Sequence, residues 1–199
     1  MTQENIYPIF NQFLQTEAKE TLLKQRGKVI WLIGLSGSGT STIAQHLEAK
    51  LYKEGFLTQV LDGDNIRSGL NKNLTFSNGD RIENIRRISE VAKLFANCGV
   101  VTLVSFITPT EAIREMAKEI IGEENYIEVF VSASLDVCES RDTKGLYEKA
   151  RKGMVKNFTG IDSVFEIPNN SAIVIPTERL SAQESVQKLY DFVIKKISY

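Results

Sequence analysis

The sequence predicts an α/β fold of three layers, a parallel sheet with helices on both faces. Three observations lead there. Short apolar, β-branched runs alternate with amphipathic segments from residue 28 onward. A glycine-rich turn separates the first run from the helical segment that follows it. Charged and hydroxyl residues gather just past the carboxyl ends of the runs, where such sheets bind ligands.

The element order follows from periodicity. Strands are expected at 28–33, 58–62, 100–106, 127–132 and 172–175. Helices are expected near 41–53, 80–97, 110–121, 135–142 and 181–196. Lys28 to Ile33 is mostly apolar, as a strand buried on both faces should be. Ile43, Ala44, Leu47 and Leu51 recur at helical spacing in the next segment. Asp80 is the expected N-cap of the segment at 80–97, with Ile82, Ile85, Ile88 and Val91 as its apolar face. Residues 1–26 are polar, with a weak helical pattern through Phe10, Phe13, Leu14, Leu22 and Leu23. They read as an N-terminal helical arm ahead of one domain at 27–199.

Composition narrows the function classes. The chain has 199 residues, 42% hydrophobic and 25% charged, with a net charge of −1. That size buries a core without staples, and that charge creates no global field for nucleic acid or membrane. The apolar stretch Val100 to Ile107 is far too short for a bilayer. A basic start followed by an apolar core is missing at the N-terminus, so no secretory signal is expected. Cys98 and Cys138 sit in no metal-ligand pattern and read as reduced thiols of a cytoplasmic protein.

The motif with most chemical content is Gly34-Leu35-Ser36-Gly37-Ser38-Gly39-Thr40-Ser41, followed by Thr42. It fits the phosphate-cradling pattern G-x-x-x-x-G-K-[ST] except that Thr40 stands where lysine is required. Strand, glycine turn and helix aim backbone N–H groups and a helix N-terminus at an anion. The bland alternative is a glycine-rich turn opening an ordinary βα unit. His46, on the following helix, reads as a surface residue.

Further candidates follow the later strands. Asp62-Gly63-Asp64-Asn65-Ile66-Arg67 puts two carboxylates and an arginine just past the second strand. Asp62 or Asp64 can hold Mg²⁺ through water or accept a hydroxyl proton. Arg67 can clamp a phosphate or sulfate. The same residues also suit a solvated Asp-Gly turn. Phe76 is either a core anchor or a base-stacking ring. Arg81 and Asn84 share a helix face, which either lines a pocket or is solvated. Thr108 places a hydroxyl at the end of the third strand, where Thr-Pro also simply ends strands. Residues 139–161 carry Arg141, Lys144, Lys149, Arg151, Lys152 and Lys156. Such a segment either closes as a lid over a transferring group or is a solvated helix.

Together these pieces resemble the adenylylsulfate kinase family. The resemblance rests on residues 34–41, Asp62 to Arg67, Asp80 to Arg87, Phe106 to Pro109, Arg141 to Tyr147 and Phe158 to Asp162, and covers about residues 27–175. It implies a P-loop kinase fold with a lid at about 143–161, and a homodimer. It implies transfer of the ATP γ-phosphate to the 3′-hydroxyl of adenosine 5′-phosphosulfate (APS), with Mg²⁺ bridging the phosphates and Ser41 as its ligand by position. By the same resemblance, residues 34–42 hold the donor phosphates and Arg141 lies near the ATP adenine. Arg67, Arg81, Asn84, Ile107 and Lys144 contact the acceptor, and Phe76 and Phe158 sandwich its adenine. Asp62 is the base for the 3′-hydroxyl, with Asp64 nearby; Arg67 and Thr108 complete the catalytic set.

The sequence departs from the family pattern at Thr40 (lysine in the family), Ser68 (histidine) and Thr108 (serine). Thr40 cannot bring charge to the β- and γ-phosphates. A non-catalytic nucleotide-binding relative and a kinase for another small hydroxyl acceptor therefore remain open at this point.

Overall fold

The computed structural model describes residues 5–199; the first four residues of the expected arm lie outside them. Five strands form one parallel sheet: β1 (Val29–Ile33), β2 (Thr58–Asp62), β3 (Val101–Ser105), β4 (Tyr126–Ser132) and β5 (Ile173–Pro176). Their order is β2-β3-β1-β4-β5. All five expected strands are present, with ends that shift by at most one residue.

The five expected helices are also present: α2 (Thr40–Lys53), α4 (Asn78–Asn97), α5 (Glu111–Ile121), α6 (Leu135–Arg141) and α8 (Ala182–Ile197). Between them lie α3 (Gly63–Ser68) and α7 (Leu146–Arg151), two short helices that the periodicity did not reveal. Six residues are fewer than two turns, too few to show a helical stripe. The arm contributes α1 (Thr16–Leu23) and a 3₁₀ turn at Phe10–Gln12.

β1 shows why the sheet is a middle layer. Ile30 and Leu32 pack with Ile43, Leu47 and Leu51 of α2 and with Leu189 and Val193 of α8. Val29, Trp31 and Ile33 point the other way, against Ile85, Ile88 and Ala92 of α4 and Ile113 and Ala117 of α5. Alternation within one apolar strand thus serves two cores. Burying each such side chain contributes roughly 1.5–3 kcal/mol. A smaller cluster of Cys138, Tyr147, Ala150 and Phe158 lies under the 135–161 region.

Two expectations about α4 need correction. Its N-cap is Ser77, whose hydroxyl accepts from the Asp80 amide at 3.2 Å. Asp80 instead accepts from the Thr75 amide at 2.8 Å, so the helix begins two residues earlier than expected. Ile82 is 45% exposed and lies outside the core; the buried face runs through Asn84, Ile85, Ile88, Ser89, Ala92 and Ala96. A polar residue, Asn84, takes the place that Ile82 was expected to fill.

Parallel register aligns the strand ends that carry the site. Asp62 lies opposite Ser105 across β2 and β3, and Ser105 lies opposite Leu32 across β3 and β1. The turn after β1 therefore leaves the sheet beside the ends of β2 and β3. The arm lies at the other end of the sheet, where buried Gln25 donates to the carbonyls of Leu57 and Gly99.

Candidate active site

The turn from β1 to α2 is shaped by its glycines. A Cβ on Gly34 would meet Ser38 Oγ at 2.4 Å and the Val131 carbonyl at 2.6 Å, so no side chain fits there. Gly37 and Gly39 adopt φ of 81° and 106°, left-handed values that favour glycine. Gly39 is the N-cap of α2 and offers no side-chain acceptor, which leaves the first amides of a 14-residue helix to an incoming anion.

Around this loop lies a cleft of about 420 Å³. Residues 36–43 line it on one side, and Arg141 to Lys144, Tyr147, Thr177, Leu180 and Ala182 line the other. Arg141 makes four hydrogen bonds: to the carbonyls of Gly37 (3.2 Å) and Ser38 (3.4 Å), and to Thr177 Oγ1 (3.2 Å) and its carbonyl (2.8 Å). Tyr147 Oη donates to the Ser36 carbonyl at 2.8 Å. The phosphate loop is thus tied to α6, α7 and the end of β5.

Asp62 joins this cleft to the next group of candidates. Ser41 Oγ donates to Asp62 Oδ2 at 2.7 Å and lies 3.2 Å from Ser105 Oγ. The other oxygen, Oδ1, accepts from the amides of Asp64 (3.1 Å) and Asn65 (3.4 Å) and caps α3. The Asp-Gly turn and the candidate carboxylate thus meet in one residue. Asp64 pairs with Lys144 across the cleft, and both side chains are exposed.

The remaining candidates form a second group beside α3 and α4. Arg67 donates to the Leu74 (3.3 Å) and Thr75 (3.1 Å) carbonyls, and its guanidinium carbon sits 4.4 Å from the centre of the Phe76 ring. Arg81 donates to the Phe76 carbonyl at 3.0 Å and to Thr159 Oγ1 at 2.8 Å, and also reaches the Asn157 carbonyl. Burial lowers the pKa of both guanidinium groups, and Arg81 adds to that effect on Arg67. Two part-buried cations side by side favour an anionic ligand. Phe76 is 60% exposed, open for stacking. Asn84 is buried, and its Oδ1 accepts from Asn71 Nδ2 at 2.8 Å.

Three further candidates are buried or half-buried. Phe158 is buried edge-on against Tyr147, with ring centroids 4.9 Å apart. Ile107 is half-buried at the end of β3. Thr108 is buried, has a φ of 46°, and accepts a hydrogen bond from Trp31 Nε1 at 2.9 Å. Sequence reasoning missed Ser105, Thr177 and Tyr147. Ser105 and Thr177 were findable, since each stands at the carboxyl end of a strand. Tyr147 lies in a segment that carries the resemblance, but its bond to Ser36 belongs to tertiary structure.

Comparison with known proteins decides the family. The model of the family described as "Adenylylsulphate kinase" matches residues 26–176. The chain belongs to the adenylylsulphate kinase family. Adenylyl-sulfate kinase of Bacteroides fragilis is 55% identical over 194 residues, covering 98% of this chain and 96% of that protein. Its Bacteroides thetaiotaomicron counterpart is 55% identical over 195 residues, with 98% and 97% covered. Among solved structures, the Mycobacterium tuberculosis APS kinase in complex with AMPPNP and APS superimposes with a TM-score of 0.82 at 45% identity. That likeness covers 85% of this chain and 98% of the other. The fold is therefore the P-loop kinase fold that the glycine turn and the alternation of elements implied.

Proposed function

We propose that this chain transfers the γ-phosphoryl group of ATP to the 3′-hydroxyl of APS, giving 3′-phosphoadenylyl sulfate and ADP. The observation that carries the reading is the Ser41–Asp62 contact. It brings a phosphate-binding loop and a carboxylate base within one hydrogen bond, with the Arg67, Phe76, Arg81 group beyond. Family membership supports the choice of substrates.

The donor triphosphate enters the cleft against residues 36–42, its negative charge facing the open end of α2. Ser41 and Asp62 offer a hydroxyl and a carboxylate oxygen, the hard donors that Mg²⁺ prefers, so the residues present fit the ion. Bound there, Mg²⁺ would neutralise phosphate charge. On the acceptor side, Arg67 and Arg81 hold the phosphosulfate and Phe76 stacks on the adenine; Asn84, Ile107 and Phe158 complete the pocket. Asp62 takes the 3′-hydroxyl proton. Asp64 serves chiefly to hold Lys144. The segment 143–161 acts as the lid.

Two broader elements belong to the same reading. Phe10, Phe13, Leu14 and Leu22 of the arm are all more than 60% exposed, which supports pairing with a second copy. No helix among the described residues is long and apolar enough to cross a membrane. Free Cys98 and Cys138 suit a cytoplasmic setting.

The test is ADP release with Mg-ATP and APS, beside other small hydroxyl acceptors. APS-dependent turnover is expected. ATP binding with no turnover on any acceptor would instead favour a nucleotide-binding relative without activity, the reading that Thr40 supports.

A further inference from the structure

We propose that Lys144 supplies the positive charge that residue 40 lacks, acting on the β- and γ-phosphates from the opposite wall of the cleft. The inference rests on the kinase reading above and names the residue that makes it workable with threonine in the loop.

Residues 34–41 contain no cation. Among all residues lining the cleft, Arg141 and Lys144 are the basic ones. Arg141 is committed: its four hydrogen bonds run to the loop carbonyls and Thr177, so moving it would dismantle the loop it braces. Lys144 is free to act. Its partner is Asp64, with side chains 55% and 70% exposed. An exposed pair of that kind is worth about 0–1 kcal/mol, so a triphosphate displaces or shares it at small cost. An ammonium carries three donors, so one can stay on Asp64 while others turn to phosphate oxygens.

The backbone around Lys144 is held over the loop. Asp142 accepts from the amides of Tyr147 (3.1 Å) and Glu148 (3.0 Å), and Gly145 N donates to the Asp142 carbonyl at 2.9 Å. Tyr147 then anchors this turn to the Ser36 carbonyl. On the other side, Asp64 is two residues from Asp62, which contacts Ser41, the neighbour of Thr40. Lys144 and Thr40 thus line the same cleft, joined through Asp64, Asp62 and Ser41.

In the reaction the acceptor oxygen bonds to the γ-phosphorus, and its proton passes to Asp62. The bond from that phosphorus to the β,γ-bridging oxygen breaks, and its electron pair leaves on ADP. Lys144 offsets the charge that develops on the leaving oxygens. A preorganised donor in that role is worth about 10²–10³ in rate.

The test compares four proteins: the parent, Lys144→Met, Thr40→Lys and the double variant, each checked for folding by circular dichroism. Lys144→Met should lower kcat about 10²–10³-fold in the parent but about tenfold or less beside Thr40→Lys. Lys144→Arg should recover part of the loss. Equal losses in both backgrounds would overturn the proposal. So would a loss confined to KM for APS, which marks an acceptor contact alone. Turnover by Thr40→Lys and none by the parent would also sink it, while showing that the rest of the kinase site is intact. No turnover in either would remove both.

Discussion

Ser41 Oγ and Asp62 Oδ2 are 2.7 Å apart, so the first turn of α2 and the N-cap of α3 share one proton donor. Asp62 therefore has two tasks on two oxygens: Oδ1 caps a helix, and Oδ2 faces the phosphate loop. The tasks are separable. In Asp62→Asn the amide oxygen caps about as well as a carboxylate, so the melting temperature should stay within a few degrees. Proton acceptance is lost, and kcat should fall about 10²–10⁴-fold. Steady-state kinetics beside a thermal melt reads both. An equal drop in stability and activity would mean that Asp62 is structural only.

Thr108 is held by Trp31 rather than offered to solvent. The indole Nε1 donates to its Oγ1 at 2.9 Å, and both side chains are buried. Thr108→Val keeps the shape but leaves the indole N–H without a partner, which should cost about 1–3 kcal/mol. Thr108→Ser keeps the acceptor and removes a branch from a residue with φ of 46°, so stability should hold or rise. Trp31 is the chain's only tryptophan, so urea unfolding followed by its fluorescence reports directly. Valine and serine variants of equal stability would show that the bond contributes nothing.

How much of this was legible beforehand depends on the length over which a residue acts. β1, with five buried residues in a row, and α2, with its four apolar positions, were plain from periodicity. The glycine-rich loop was plain because glycine spacing is a local property. α3 and α7 were hidden because six residues are too few to show a stripe; Asp62 caps the first, and Asp142 accepts from two amides of the second. Ile82 was misplaced because the helix carries polar Asn84 on its buried side, where Asn71 satisfies it across 13 residues. Arg141 was recognised, but its bonds to a loop 103–104 residues earlier belong to tertiary structure alone.

Glu83 gives α4 a predictable response to acid. Its carboxylate accepts from Arg86 at 2.7 Å and Arg87 at 2.8 Å, and Arg87 reaches on to Asn73 at 3.0 Å. Hydrogen bonds from Arg86 and then Arg87 pull its pKa from the ordinary 4.5 to about 2. A carboxyl group lowered on folding adds stability that is fully present above its unfolded pKa. That stability shrinks as pH falls below about 4.5 and is gone below about 2. The side chain is 34% exposed, so solvent screening limits the effect to about 1 kcal/mol. Glu83→Gln should therefore lower stability by about that amount at pH 7, and the gap to the parent should narrow toward pH 3. Added salt should narrow it too. Paired urea titrations at pH 7 and pH 3 check this. A gap unchanged between them would place the glutamate's contribution in packing rather than charge.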